Sequence, residues 1–114
     1  MVNKWEIYFC SLDPTLGSEQ KGTRPVLIVS NDTVNHILPI VTVLPLSKLK
    51  PGDKIYPSEV LLPAVSTGLP KDSIAMVQQV RTVAQTRLTS LSGRINEPII
   101  QERIRQAIRD YFEV

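Results

Sequence analysis

Arg24 stands directly before Pro25, between a polar run, Ser18-Glu19-Gln20-Lys21-Gly22-Thr23, and an apolar one, Val26-Leu27-Ile28-Val29. Proline restrains the residue before it to an extended backbone, so Arg24 is held at the mouth of a strand, behind a loop. A guanidinium there offers planar, permanently charged donors that match a phosphate bidentately. It suits stabilisation of charge that develops on a phosphoryl group. Ser47, which reads on its own as a turn residue or cap, follows the apolar run 39–46 (PIVTVLPL) and opens a basic stretch with Lys48, Lys50 and Lys54. Those lysines either solvate a loop or draw in phosphates.

Other chemistry has less to work with. One histidine and one cysteine cannot supply clustered soft metal ligands, and there is no glycine-rich phosphate loop of the Walker type. No metal or cofactor is expected. His36 reads as a surface residue of a helical turn. Cys10, alternating with Tyr8 and Leu12, reads as a small apolar residue of a core or interface, and Trp5 as a core residue. Arg81 reads as a structural ion-pair residue.

The elements that must position these groups follow from pattern and punctuation. Residues 5–12 (WEIYFCSL) are rich in aromatic and β-branched types and predict a strand, broken by the turn residues Asp13-Pro14-Thr15-Leu16-Gly17. The connection that follows is about twice the usual length, which in a small domain marks function. Residues 25–30 predict a second strand buried on both faces. Asn31 and Asp32 open a short helical turn toward His36. Residues 39–46 predict a third strand, with Pro45 near an end, an edge or a bulge, and 47–54 a basic loop. Residues 56–62 predict a fourth strand and 63–72 a turn-rich connection. Residues 73–83 predict one bent strand or two, and 87–95 a helical turn, a short strand or both. Asn96 is placed as the cap of a last helix, with Glu97 and Pro98 in its first turn. Ile100, Ile104, Ala107, Ile108 and Tyr111 then recur at helical spacing. Strands followed by a terminal amphipathic helix predict a mainly β (α+β) fold, a small barrel-like antiparallel sheet with short helices outside.

Bulk properties bound the rest. The chain has 114 residues, 42% hydrophobic and 21% charged, which fits one globular domain over 1–114. A net charge of +2 permits an anionic partner without demanding one. A lone cysteine fits a reducing compartment, the charged N-terminal run is unlike a signal peptide, and no apolar stretch is long enough to span a bilayer. A cytoplasmic protein without membrane association is expected.

Asp13-Pro14, Gly17-Ser18-Glu19-Gln20, Gly22, Arg24-Pro25-Val26 and Ser30-Asn31-Asp32 together resemble the N-terminal motif of the MazF/PemK-type toxins. Val43-Leu44-Pro45-Leu46-Ser47 resembles the strand end that carries that family's second catalytic group, and Gln79-Val80-Arg81-Thr82 resembles a third block. The resemblance covers nearly the whole chain. It implies an SH3-like, MazF/PemK/CcdB-type sheet that forms homodimers. It also implies metal-independent, sequence-specific cleavage of single-stranded RNA (mRNA). The ribose 2′-hydroxyl attacks the adjacent phosphorus, leaving a 2′,3′-cyclic phosphate and a 5′-hydroxyl. By motif, Arg24 matches the catalytic arginine and Ser47 a position usually held by threonine. Gly17, Ser18, Glu19, Gln20, Lys21 and Thr23 match the loop that approaches RNA; Lys48 and Gln78 join them. Gln78 stands where some relatives have a carboxylate, and Ser18 where the same relatives have histidine, so the general base is left unassigned. A cognate antitoxin with an acidic, disordered tail is the implied partner. Two rivals remain: a gyrase poison on the same fold, disfavoured because the only tryptophan is Trp5, and a non-catalytic nucleic-acid-binding protein.

Overall fold

Seven antiparallel strands and three helices carry the chain in a computed structural model covering Met1–Val114. In order they are β1 (Glu6–Ser11), β2 (Thr23–Ile28), α1 (Asp32–Ile37), β3 (Ile40–Lys48), β4 (Glu59–Leu62), α2 (Ala64–Thr67), β5 (Ser73–Met76), β6 (Arg81–Ala84), β7 (Leu88–Arg94) and α3 (Pro98–Phe112). The sheet runs β4-β5-β3-β2-β1-β7, and β6 pairs with β3. The mainly β class and the terminal helix expected from the sequence are both present.

β3 is the hub. Along one edge it pairs with β2, Val26 opposite Pro45. Along the other it pairs first with β6, through residues 40–43, and then with β5, through residues 46–48. Pro45 was expected at an end, edge or bulge. It lies instead inside a buried central strand, in the gap where the outer edge changes partner. A residue with no N–H to donate is tolerated there because the outer ladder is already interrupted.

Alternation sorts the strands' side chains into two cores. Ile7, Leu27, Leu44 and Leu46 join Ile95, Ile100, Ile104 and Ala107 under α3. Cys10, Leu12, Val26, Ile28, Val41, Val43 and Val83 form the second cluster. Trp5 is buried in the first, as expected, and its ring lies between Lys4 Nζ at 5.1 Å and Arg105 Cζ at 5.2 Å. Its φ of 75° puts it just before β1 rather than within it.

Several boundaries differ from expectation for local reasons. Ser47 and Lys48 belong to β3, because β5 extends the ladder past Leu46. β4 starts three residues late, after a turn closed by Glu59 N donating to the Tyr56 carbonyl. The 63–72 connection contains α2, ended by Gly68 at φ 82°. Residues 73–83 are two strands separated by a helical turn at Val77–Gln79. Residues 85–95 hold a helical turn, Gln85–Arg87, and then β7. The α3 cap is Glu97, not Asn96, whose side-chain oxygen accepts from Arg94 Nε instead. Tyr111 is exposed and makes an edge-on contact with Phe112. No helix is long and apolar enough to cross a membrane.

Candidate active site

The β2–β3 ladder ends at Val26 opposite Pro45; Arg24 lies two residues before Val26 and Ser47 two residues after Pro45, so both stand just beyond the end of that ladder. Both line one groove of about 560 Å³, together with Lys21, Thr23, Lys48, Lys50, Lys71, Phe9 and an apolar floor of Pro25, Leu46 and Leu69. Arg24 Nε donates to the Lys21 carbonyl at 2.9 Å. That single bond orients the guanidinium and leaves its terminal nitrogens with no protein partner. Arg24 makes no ion pair, and the Ser47 hydroxyl makes no hydrogen bond within the chain. An aimed, unpaired guanidinium beside a free hydroxyl is an arrangement complementary to a phosphodiester.

The electrostatics are one-sided. Five cationic side chains line the groove, and no carboxylate does. The chain's weak net charge therefore conceals a concentrated positive patch, which attracts a polyanion through its phosphates. A second hollow of the same volume, between α2 and β7, mixes Glu6 and Glu97 with Arg94, and Arg94 already reaches Glu6 at 3.8 Å. It carries no comparable field.

The loop between β1 and β2 is tied down from three directions. Arg81 Nη1 donates to the Leu12 carbonyl at 2.9 Å, and Arg87 Nη1 donates to the Ser11 and Asp13 carbonyls at 3.2 and 2.6 Å. Gln79 accepts from the Gln20 backbone N–H at 3.3 Å and donates to the Ser18 carbonyl at 3.1 Å. Within the loop, Glu19 Oε1 accepts from Leu16 N at 2.6 Å, and Asp13 Oδ1 accepts from Gly22 N at 3.1 Å. The expected role of Arg81 as an ion-pair residue is corrected: it has no acidic partner and acts as a carbonyl clamp.

The sequence-derived candidates divide. Arg24, Ser47, Lys21, Thr23 and Lys48 meet in the groove. Glu19, Gln20 and Gln78 line a separate depression of about 170 Å³ with Gln79 and Arg81. Gln78 is already engaged there, accepting from Ser58 Oγ at 2.9 Å and donating to Glu59 Oε2 at 2.7 Å. Gly17 and Ser18 line neither; Gly17 turns the loop at φ 57°. Lys71 and Phe9 reach the groove without having been singled out as site residues. Phe9 had a usable signal, an aromatic beside the loop, but a lysine in a turn-rich connection has none. No cluster of three or more His, Cys, Asp or Glu side chains gathers anywhere. Cys10 is fully buried, and burial raises its thiol pKa against the opposing pull of Arg87 and Arg81. His36 is exposed, with Nε2 at 2.8 Å from Asn3 Oδ1.

The chain is thus a small two-core antiparallel sheet with a cationic groove where β2 begins and β3 ends. The chain belongs to the PemK-like, MazF-like toxins of type II toxin–antitoxin systems, whose family profile matches residues 3–112. It is 38% identical over 101 residues to endoribonuclease MazF9 of Mycobacterium tuberculosis, covering 84% of each chain. It is 31% identical over 102 residues to endoribonuclease EndoA of Bacillus subtilis, covering 90% of this chain and 87% of that one. Among solved structures it is similar to a mycobacterial endoribonuclease in complex with its cognate antitoxin, with a TM-score of 0.80, 20% identity and coverage of 100% and 97%. Both curated relatives are enzymes, and the expectation of an endoribonuclease agrees with them.

Proposed function

We propose that this chain, a single domain over 1–114, is a sequence-specific endoribonuclease that cuts single-stranded mRNA at the Arg24–Ser47 groove, without a metal. In the reaction the ribose 2′-oxygen forms a bond to the adjacent phosphorus as the bond from phosphorus to the 5′-oxygen breaks. The 2′-hydroxyl loses its proton and the departing 5′-oxygen gains one, leaving 2′,3′-cyclic phosphate and 5′-hydroxyl ends. Arg24 stabilises the negative charge that builds on the phosphoryl oxygens, through donors no protein group occupies. Ser47 Oγ donates to the same oxygens. Lys21, Lys48, Lys50 and Lys71 hold the flanking phosphates. The groove lining contains no carboxylate or imidazole to take the 2′ proton, so charge stabilisation and alignment are its main contribution. The unpaired Arg24 guanidinium in an acid-free groove is the observation that carries this reading.

Gly17, Ser18, Glu19, Gln20 and Thr23 are assigned to the RNA-facing loop, and Gln78 to its neighbouring depression, where unstacked bases are read on their edges. The active form is proposed to be a homodimer in the cytoplasm, restrained by an antitoxin whose acidic, disordered tail would complement the cationic groove. The test is incubation of wild type and Arg24→Ala with long single-stranded RNA in EDTA, followed by mapping of the fragment ends. Discrete cuts with cyclic-phosphate and 5′-hydroxyl ends, reduced about 100-fold or more in the variant, are expected. Ser47→Ala should lose less, and Ser47→Thr should stay active. Intact RNA with the wild type, or normal cutting by folded Arg24→Ala, would overturn the reading.

A further inference from the structure

We infer that Phe9 is the groove's stacking platform, taking the face of one unpaired nucleobase beside the nucleotide whose phosphate Arg24 holds. The inference rests on the ribonuclease reading above. Phe9 is the only aromatic residue lining the groove, and 37% of it is exposed, although Ile7, two residues earlier in the same strand, is fully buried. The other exposed aromatics are elsewhere: Tyr111 and Phe112 contact each other at 5.1 Å, and Tyr56 lies on the 51–57 loop.

The backbone under the ring is held on both sides. Phe9 pairs with Pro25 on β2 and with Ser90 on β7. The β1–β7 ladder shifts register between Phe9 and Cys10, skipping Thr89, and Thr89 Oγ1 donates to the Phe9 carbonyl at 3.2 Å. Such irregularities re-aim side chains beside functional sites. Phe9 and Arg24 come from neighbouring strands, β1 and β2, and both line the one groove. A base stacked on the ring and a phosphate on Arg24 would therefore belong to one short stretch of the same strand of RNA.

The surroundings match a nucleotide's divided chemistry. Pro25, Leu46 and Leu69 add apolar surface to the same groove as the ring, and Lys21, Lys48 and Lys71 add charge to it. Lysines bind phosphate without regard to base, whereas an aromatic face fixes where along the strand a base sits. Phe9 thereby sets the register of the RNA relative to Arg24.

The test uses an oligonucleotide containing the mapped cleavage motif with a 2′-deoxy sugar at the scissile nucleotide, so that it binds uncut. An abasic residue is walked along it, and Kd is measured for wild type, Phe9→Leu and Phe9→Tyr. With wild type, one abasic position should weaken binding about 5- to 100-fold, the range of one base–aromatic stack. Phe9→Leu should lose a similar factor on the intact strand and be indifferent to the abasic change at that position. Phe9→Tyr should behave as wild type. An abasic profile for Phe9→Leu identical to that of wild type would overturn the assignment. A second readout needs only the wild type: 2-aminopurine at the stacked position should be quenched on binding, and quenching at no position would also overturn it. Loss of both cutting and binding by wild type would instead sink the ribonuclease reading itself.

Discussion

At the scale of single residues, the groove works by leaving groups unsatisfied. Arg24 spends one donor on its own loop and keeps the rest free, whereas Arg81 and Arg87 spend theirs on carbonyls. This difference was only half legible in the sequence. The Arg-Pro pair announces an arginine fixed at a strand mouth, and the surrounding motif marks it further. Nothing in residue order says that Arg81 finds a carbonyl rather than a carboxylate. Cys10 was legible from its alternation with Tyr8 and Leu12. Because it is fully buried and its thiol pKa is raised by that burial, iodoacetamide at neutral pH should leave the native protein unmodified and label it fully in denaturant. Mass spectrometry reads the outcome, and rapid native labelling would mean that the second core opens readily.

At the scale of elements, the β1–β2 loop is positioned by side chains that arrive from beyond residue 78. Gln79→Ala removes both of its bonds to the loop, at Ser18 and Gln20. One of these bonds is exposed and the other part-buried, and such neutral hydrogen bonds contribute about 1 kcal/mol each, so the melting temperature should move little. Arg24 leans on Lys21 in that same loop, so the turnover rate should fall about 10-fold, in proportion to lost alignment. Rate measurements together with amide exchange over residues 16–22 check this: unchanged exchange with an unchanged rate would show that the loop holds itself. The boundaries that pattern missed have specific causes. β3 runs on through Ser47 because β5 pairs with it, and α3 takes its cap at Glu97 because Arg94 occupies the Asn96 oxygen. In the first case a tertiary partner decides what local preference leaves open, and in the second a side chain two residues away does.

At the scale of the whole molecule, two cores share one curled sheet, and their separation follows from strand alternation that the sequence displays. The close approach of α2 to β7 does not. A Cβ on Gly93 would lie 2.1 Å from the Thr67 carbonyl oxygen, a backbone clash that no side-chain rotation relieves. Gly93→Ala should therefore cost about 1–3 kcal/mol and lower the melting temperature by several degrees. Thermal unfolding measures it, and an unshifted transition would mean that α2 yields freely.

The distance along the chain between the groove and its clamps has a bearing on when activity begins. Arg24 and Ser47 are both present in the first half of the chain, but Gln79, Arg81 and Arg87, and the β7 strand that pairs with β1, come in its last third. Pairings this remote form late, because loop closure must come before they are rewarded. During synthesis, which runs N-terminus first, Arg24 and Ser47 are made well before the side chains that anchor the loop. On the reading proposed above, cutting by the groove therefore waits until nearly the whole chain has been made.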